Sequence, residues 1–318
     1  MGTSWGHLSH RRDALLANCV APNTIKTYRV GINRYLGFCR LYRINPLPLT
    51  EKVLENFCVF LSGRLSHKSI KVYLSGVQLM STLNRGVVLI HQMPRLAYVL
   101  KAIRRVQGNR FDRPTRTPIT WPLMRVICRF IDRTEAPFDK LMLTSAILLA
   151  FFGLLRVSEY TSPTSAHADD TTLAVEDVEI DWPHRVARIR IKKSKTDPFR
   201  LGVTIRIGVL QHALCPVSAL ERYLIYRGCQ PGPLFHFRNG SYLTRTGIYD
   251  LLMRSLPHVR NVNTHSFRRG GATALAAAGV PTHVIQVMGR WKSNAYARYI
   301  EIPDTFFIRA NTDMANLE

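Results

Sequence analysis

Between Lys140 and Arg156 the chain runs for fifteen residues without a charge, from Leu141 to Leu155. A bilayer span needs ~20 such residues, so this stretch is expected to be a helix buried inside protein. A helix that is apolar all round must be covered on every side, and 318 residues are enough to build the layers that cover it. The hydrophobic share of 46%, with 9% aromatic, fits a folded chain and excludes a disordered one. The arginine that closes the run is costly beside so apolar a segment unless it is paired or holds an anion. Glu159 is one available partner for Arg156, and solvent is the other.

Charge narrows the function. Lys and Arg number 44 against 21 Asp and Glu, a formal net charge of +23. So much like charge repels itself, and a polyanionic partner is the usual reason. Nucleic acid is the first candidate and an anionic membrane surface the second. With no apolar span and no secretion signal read in the sequence, no membrane partner is expected. The excess is uneven: residues 1–118 hold 19 basic against 4 acidic residues, and residues 119–318 hold 25 against 17. Such a first third suits a clamp on phosphates. The six cysteines form no C-x-x-C pair and have no histidine at zinc-finger spacing, so free thiols in a reducing compartment and no metal are expected.

The periodicities predict a mainly helical chain with a small β-sheet. Apolar residues recur at helical spacing from Thr24 (Tyr28, Ile32, Tyr35, Leu36, Cys39) and from Thr50 (Leu54, Phe57, Cys58, Leu61). They do so again after a Ser66 cap (Ile70, Tyr73, Leu74, Val77, Met80) and after Met93-Pro94 (Leu96, Val99, Leu100, Ile103). Lys26, Lys68, Lys71, Arg104 and Arg105 fall off these faces and are the candidate DNA-binding residues of the first domain, although any one of them alone is most simply a solvated surface charge. The polar, basic, twice proline-broken stretch 109–119 reads as a linker. Domains are therefore expected at 1–108 and 120–318. The second holds helices at about 122–133 and 139–153, strands at 178–180, 186–191 and 202–207, a helix opening at Cys215-Pro216, and mostly helix beyond 246.

The sharpest motif is Thr264-His-Ser-Phe-Arg-Arg-Gly-Gly-Ala-Thr273. His265 and Arg268 are three apart, so on a helix they share a face, and near a helix start they would cradle a phosphate. Gly270 and Gly271 allow another backbone to come close. Downstream lie Gly289-Arg-Trp-Lys-Ser293, Tyr296 and Tyr299. Upstream, Arg156 stands in L-L-R-V-S-E, and Lys195 stands in the turn S-K-T-D between two strands.

In this order the residues resemble the tyrosine recombinase, or phage-integrase-like, family. Its pattern is Arg, Lys, His-x-x-Arg, His or Trp, then Tyr, here matched by Arg156, Lys195, His265, Arg268, Trp291 and Tyr299. The wording G-L-L-R-V-S-E-Y, S-K-T-D, C-P-V-S-A-L, G-R-W-K-S and R-Y-I is most similar to eukaryotic mobile-element enzymes of the Crypton and DIRS kind. The gap from Trp291 to Tyr299 is eight residues, one shorter than in many bacterial relatives, which leaves Tyr296 as an alternative nucleophile. Lys192 and Lys193 are alternatives to Lys195.

The resemblance implies an N-terminal helical-bundle core-binding domain followed by an α+β catalytic domain. It implies a DNA integrase or site-specific recombinase acting on double-stranded DNA as a homo-tetramer on two sites, through a 3′-phosphotyrosine and without cofactor or metal. Arg156 and Arg268 would hold the scissile phosphate. His265 and Trp291 would hydrogen-bond it, Tyr299 would attack it, and Lys195 would protonate the leaving oxygen. Glu159 would orient an arginine from behind. Residues 301–318 would pack on a neighbouring subunit. A eukaryotic origin would place the enzyme in the nucleus, and any other origin in the cytoplasm. A type IB topoisomerase, a catalytically silent domesticated DNA-binding protein and a basic RNA-binding protein are the rival readings. The last explains the charge but not the ordered residue set.

If the charge serves phosphate contacts, DNA affinity should fall linearly on a log–log plot against salt, losing ~10³-fold or more between 50 and 200 mM through counterion release. A titration series by fluorescence anisotropy checks this.

Overall fold

The apolar run forms the central helix of the larger half of the molecule. The computed structural model describes residues 5–84, 90–112, 114–194, 197, 199–300 and 304–316. The chain divides into two compact units, Met1–Arg113 and Pro114–Glu318.

The first unit is helical: α1 Trp5–Ala17, α2 Pro22–Leu41, α3 Glu51–Ser62, α4 His67–Leu83 and α5 Pro94–Gln107. The last four are the periodic segments, and their faces meet in one core built on Tyr35, Phe38, Leu54, Phe57, Ile70, Leu74, Val77, Leu96 and Ile103. Ser66 caps α4, its hydroxyl accepting from the Ser69 amide at 3.2 Å. The side chain of Gln107 ties the end of α5 to the start of α4, accepting from the His67 amide and donating to the carbonyls of Ser62 and Leu65. Helix α1 has no counterpart in the sequence reading, because its large apolar residues Trp5, Leu8, Leu15 and Leu16 are exposed and mark no buried face.

The second unit opens with α6 Trp121–Thr134, α7 Pro137–Phe152 and the one-turn α8 Val157–Tyr160. An antiparallel sheet follows, β1 Val178–Asp181, β2 Val186–Ile191 and β3 Val203–Gly208, in the order β1-β2-β3. Then come α9 Pro216–Arg227, α10 Arg245–Ser255, α11 Ser266–Ala277, α12 Thr282–Met288, a 3-10 turn Asn294–Arg298 and α13 Asp304–Ala315. Residues 142–143 and 145–151 of α7 are all buried, as a helix apolar on every side requires. Alternate sheet residues Ala187, Ile189, Ile191, Ile205 and Ile207 join the same core, so strand alternation sets which face of the sheet packs inward. Among the described residues no helix is long and apolar enough to cross a membrane. Cys39, Cys58, Cys128 and Cys215 are buried free thiols, and Cys19 and Cys229 are exposed ones.

Two features bring the conserved-looking motifs of the sequence together. Helix α7 stops at Phe152, three residues before the apolar run ends, because Leu154 turns to φ +46°. The amide of Leu155 reaches back to the Ala150 carbonyl and that of Leu154 to the Phe151 carbonyl, which closes the helix end as a Schellman turn. Helix α11 then packs on that end. A Cβ on Gly271 would overlap the Phe151 carbonyl and the Leu154 side chain, and one on Gly270 would overlap the Ile119 carbonyl. The segment before α6 is pinned to the start of α11 by Ile119 N–H to the Ser266 carbonyl (3.0 Å) and Thr117 N–H to the Asn261 carbonyl (3.2 Å).

Gly271→Ala should therefore destabilise the second unit by about 3 kcal/mol, the upper part of the range for overpacking, since the atoms struck include backbone. Urea unfolding should show a lower midpoint at unchanged slope.

Candidate active site

His265, Arg268, Arg156, Glu159, Trp291 and Tyr299 gather where the ends of α7 and α12 meet α11. Arg268, on the first turn of α11, is the most deeply buried charged side chain described, at 1% exposure. Its Nη1 donates to the carbonyl of Leu154 and its Nη2 to that of Gly289, so one guanidinium joins two helix C-termini. Those carbonyls carry the negative end of each helix, which is where a cation is most favourable. Trp291 covers the guanidinium face, 4.3 Å from its ring centroid, and the Tyr299 ring lies 5.8 Å away. Burial, then the charges of Arg156 and Arg290, push the Arg268 pKa down to about 9. Its Nε is buried without a partner.

Arg156 is the N-cap of α8, and it pairs with Glu159 as an arginine in that position must. Its Nη1 donates to Glu159 Oε1 at 2.8 Å and its amide donates to Oε2 at 2.9 Å. Glu159 is 3% exposed. Its Oε2 also accepts from Arg290 Nη2 at 2.6 Å, a pair that the sequence reading did not contain. Arg290 extends to the carbonyls of Gly153 and Leu154 at 3.4 and 3.3 Å. One carboxylate therefore serves two arginines, with a third beside them, and the cluster holds more positive than negative charge.

His265 caps α11 with a helical backbone, its amide donating to Asn263 Oδ1 at 2.9 Å. Burial first, then Arg116, Arg245, Arg268 and Arg156, lower its pKa to about 4, so the ring is neutral at pH 7. Its Nδ1 is buried without a partner. A cavity of about 230 Å³ lies at the adjoining residues Asn263 and Thr264, walled also by Arg245, Thr246 and Tyr249 at the start of α10. The larger cleft of this unit, about 410 Å³ between α6, α7 and α9, contains none of these residues.

Tyr299 sits at the end of the 3-10 turn rather than on an α-helix. Thr273 of α11 donates its hydroxyl to the Tyr299 carbonyl at 3.1 Å, and Arg269 Nη1 donates to the Arg298 carbonyl at 2.7 Å. The Trp291 ring lies 5.1 Å from that of Tyr299 and 6.4 Å from that of Tyr296. Lys195 lies outside the described residues. Lys192 is held by Asp177 at 2.8 Å and by the Thr172 carbonyl. In the first unit Lys26, Lys68, Lys71, Arg104 and Arg105 are all exposed. Lys68, Lys71 and Arg104 lie close enough to His67 to lower its pKa, after burial. Among the described residues no group of three His, Cys, Asp or Glu is placed to hold a metal.

Two neighbouring helix ends aim their carbonyls at buried arginines, and the Trp291 and Tyr299 rings both lie against Arg268, an arrangement whose excess positive charge suits an oxyanion. The chain matches the Phage integrase family over residues 125–302, more than half its length, and it belongs to that family. It is accordingly a tyrosine site-specific recombinase, with the mainly helical fold and small sheet of that class. The XerH site-specific recombinase bound to a palindromic difH substrate superposes with a TM-score of 0.62 at 17% identity, covering 91% of this chain and 78% of that one. The Tn1549 transposon integrase in complex with circular intermediate DNA gives 0.58 at 17% identity, covering 94% and 95%. A lambda integrase dimer bound to a COC′ core site gives 0.54 at 15% identity, covering 92% and 76%. No curated protein matches the chain at a significant level.

Because the folded His265 holds its proton only below about pH 4 and the unfolded one below ~6.5, the unfolded chain binds more protons between these values. Stability from this group is full above pH 6.5 and is lost as pH falls towards 4. His265→Gln should show a shallower loss of Tm over that window. An imidazole NMR titration should place the free-protein midpoint near the lower value, and a bound oxyanion should move it up.

Proposed function

We propose that the chain is a site-specific DNA recombinase that cuts and rejoins double-stranded DNA through a 3′-phosphotyrosine at Tyr299. One observation carries this: Arg268, Trp291 and Tyr299 pack against one another beside a cationic cluster that has too few carboxylates of its own. A scissile phosphodiester would supply the missing negative charge. Arg156 and Arg268 would stabilise its non-bridging oxygens as charge builds in the pentacoordinate transition state. His265, neutral and half-buried, would donate a hydrogen bond and take the phenol proton, and the Trp291 indole N–H would give a further contact. The Tyr299 oxygen forms a bond to phosphorus, the bond to the 5′ oxygen breaks, and that oxygen takes a proton from Lys195. The phosphotyrosine keeps the bond energy, so attack by a second 5′-hydroxyl reverses the step onto a new strand.

Tyr299 is preferred over Tyr296 for its shorter approach to Trp291 and its electrostatic reach to Arg268. Lys192 is already engaged by Asp177, which leaves Lys195 as the proposed donor to the leaving group. The DNA contacts of the structures it resembles, read with the +23 charge, support DNA as the partner. The exposed Lys26, Lys68, Lys71, Arg104 and Arg105 would grip phosphates from the 1–108 core-binding domain, and residues 120–318 would carry the chemistry. A tetramer on two sites would pair the strands. The motif wording supports a Crypton- or DIRS-like enzyme working in a nucleus.

DNA selected for tight binding, with a 5′-bridging sulfur at the scissile step, should trap a covalent adduct visible on a denaturing gel. The adduct should persist in Tyr296→Phe and vanish in Tyr299→Phe. The opposite pattern would overturn the nucleophile, and no adduct from the intact protein would overturn the reaction.

A further inference from the structure

Arg290 is left over by this mechanism, and its surroundings are unusual. Helix α12 ends in a Schellman turn, with the Trp291 amide on the Gln286 carbonyl (3.0 Å) and the Arg290 amide on the Val287 carbonyl (2.9 Å). The left-handed position of such a turn normally belongs to glycine, yet here it is Arg290, at φ +57°. Gly289, one residue earlier, cannot simply trade places with it, because a Cβ there would overlap the Trp291 ring. A long side chain in that conformation is costly, and it goes to a site where the Arg290 side chain is 8% exposed and Glu159 is 1%. Burial of that guanidinium lowers its affinity for its proton, and the nearby carboxylate opposes this.

We propose that Arg290 is a positioning residue for strand cleavage: by sharing one oxygen of Glu159, it keeps the Arg156 guanidinium singly bonded and open to the scissile phosphate. The geometry gives the reason. Glu159 Oε2 is held by Arg290 Nη2 and by the Arg156 amide, so the Arg156 guanidinium reaches only Oε1, through Nη1, and among the described residues its Nε and Nη2 meet no other partner. Without Arg290, Oε2 would keep the Arg156 amide and have a lone pair free for the Arg156 guanidinium as well, and forked pairing is the preferred geometry of such a couple. The fork would then be closed on Glu159 instead of on phosphate. The contacts of Arg290 with Gly153 and Leu154 set its distance from the corner that carries Arg156.

The proposal rests on the reading of Arg156 as a phosphate-holding residue, and the test separates the two. Cleavage rates at saturating DNA are compared on a phosphodiester and on a methylphosphonate, which lacks one non-bridging charge at the scissile step. The intact protein, Arg156→Ala, Arg290→Ala and Arg290→Lys are used. Arg290→Ala should cut the phosphodiester ~100-fold more slowly, the scale of a misplaced group near a reacting centre, and recover most of that loss on the methylphosphonate. Arg156→Ala should recover in parallel. Arg290→Lys, a point charge that cannot fork to carboxylate and carbonyls together, should show the same recovery and keeps the comparison available should the alanine variant unfold. Equal loss on both substrates in the Arg290 variants, with Arg156→Ala recovering, would overturn the proposal and leave Arg290 a helix cap. Failure of Arg156→Ala to recover would instead overturn the role of Arg156. No cleavage by the intact protein would overturn the reaction on which both rest.

Discussion

The guanidinium of Arg268 is the hub of the second unit. It binds the carbonyl of Leu154 beyond α7 and that of Gly289 beyond α12, from a residue on α11. Three helices are thereby fixed to one planar group, and Arg290 ties the ends of α7 and α12 a second time. Gly271 lets α11 come close enough for this, and Trp291 closes the other face of the cation. Breaking a buried pairing of this kind leaves polar groups without water, which costs more than the pairing contributes.

The same arrangement explains the electrostatic character of the site. Arg156, Arg268 and Arg290 share one nearby carboxylate, Glu159. Carbonyls compensate part of the charge, because helix C-termini are weakly negative, but they supply no full counter-charge. The pKa values of Arg268 and His265 are lowered first by burial and then by that crowding of arginines. An oxyanion entering here removes repulsion as well as adding hydrogen bonds, so a site prepared in this way favours charge accumulating on a phosphate over a neutral ligand.

Tyr299 is held differently from the arginines. It lies on a short 3-10 turn, anchored through backbone carbonyls by Thr273 and Arg269, and its ring is only half-buried. A side chain on such a segment can shift more readily than one in the core, where close packing resists displacement, which suits the nucleophilic role proposed for it. The pairing of Lys192 with Asp177 similarly fixes the base of the β2–β3 hairpin.

Much of this was legible in the amino-acid order. Period-3.6 and period-2 patterns located α2 to α5, α7 and the three strands within a few residues, since burial of one face writes itself directly into composition. The ordered arginine, histidine, tryptophan and tyrosine named in the sequence lie together in the fold, around the ends of α7, α11 and α12. What the order could not reveal was α1, whose apolar residues face solvent, the left-handed turns at Leu154 and Arg290, and the second arginine on Glu159. These depend on where two distant helix ends stop in space. Residues 154, 159, 268 and 290 are brought together by packing across more than a hundred positions, and only the tertiary structure decides which cation a shared carboxylate and a free carbonyl will meet.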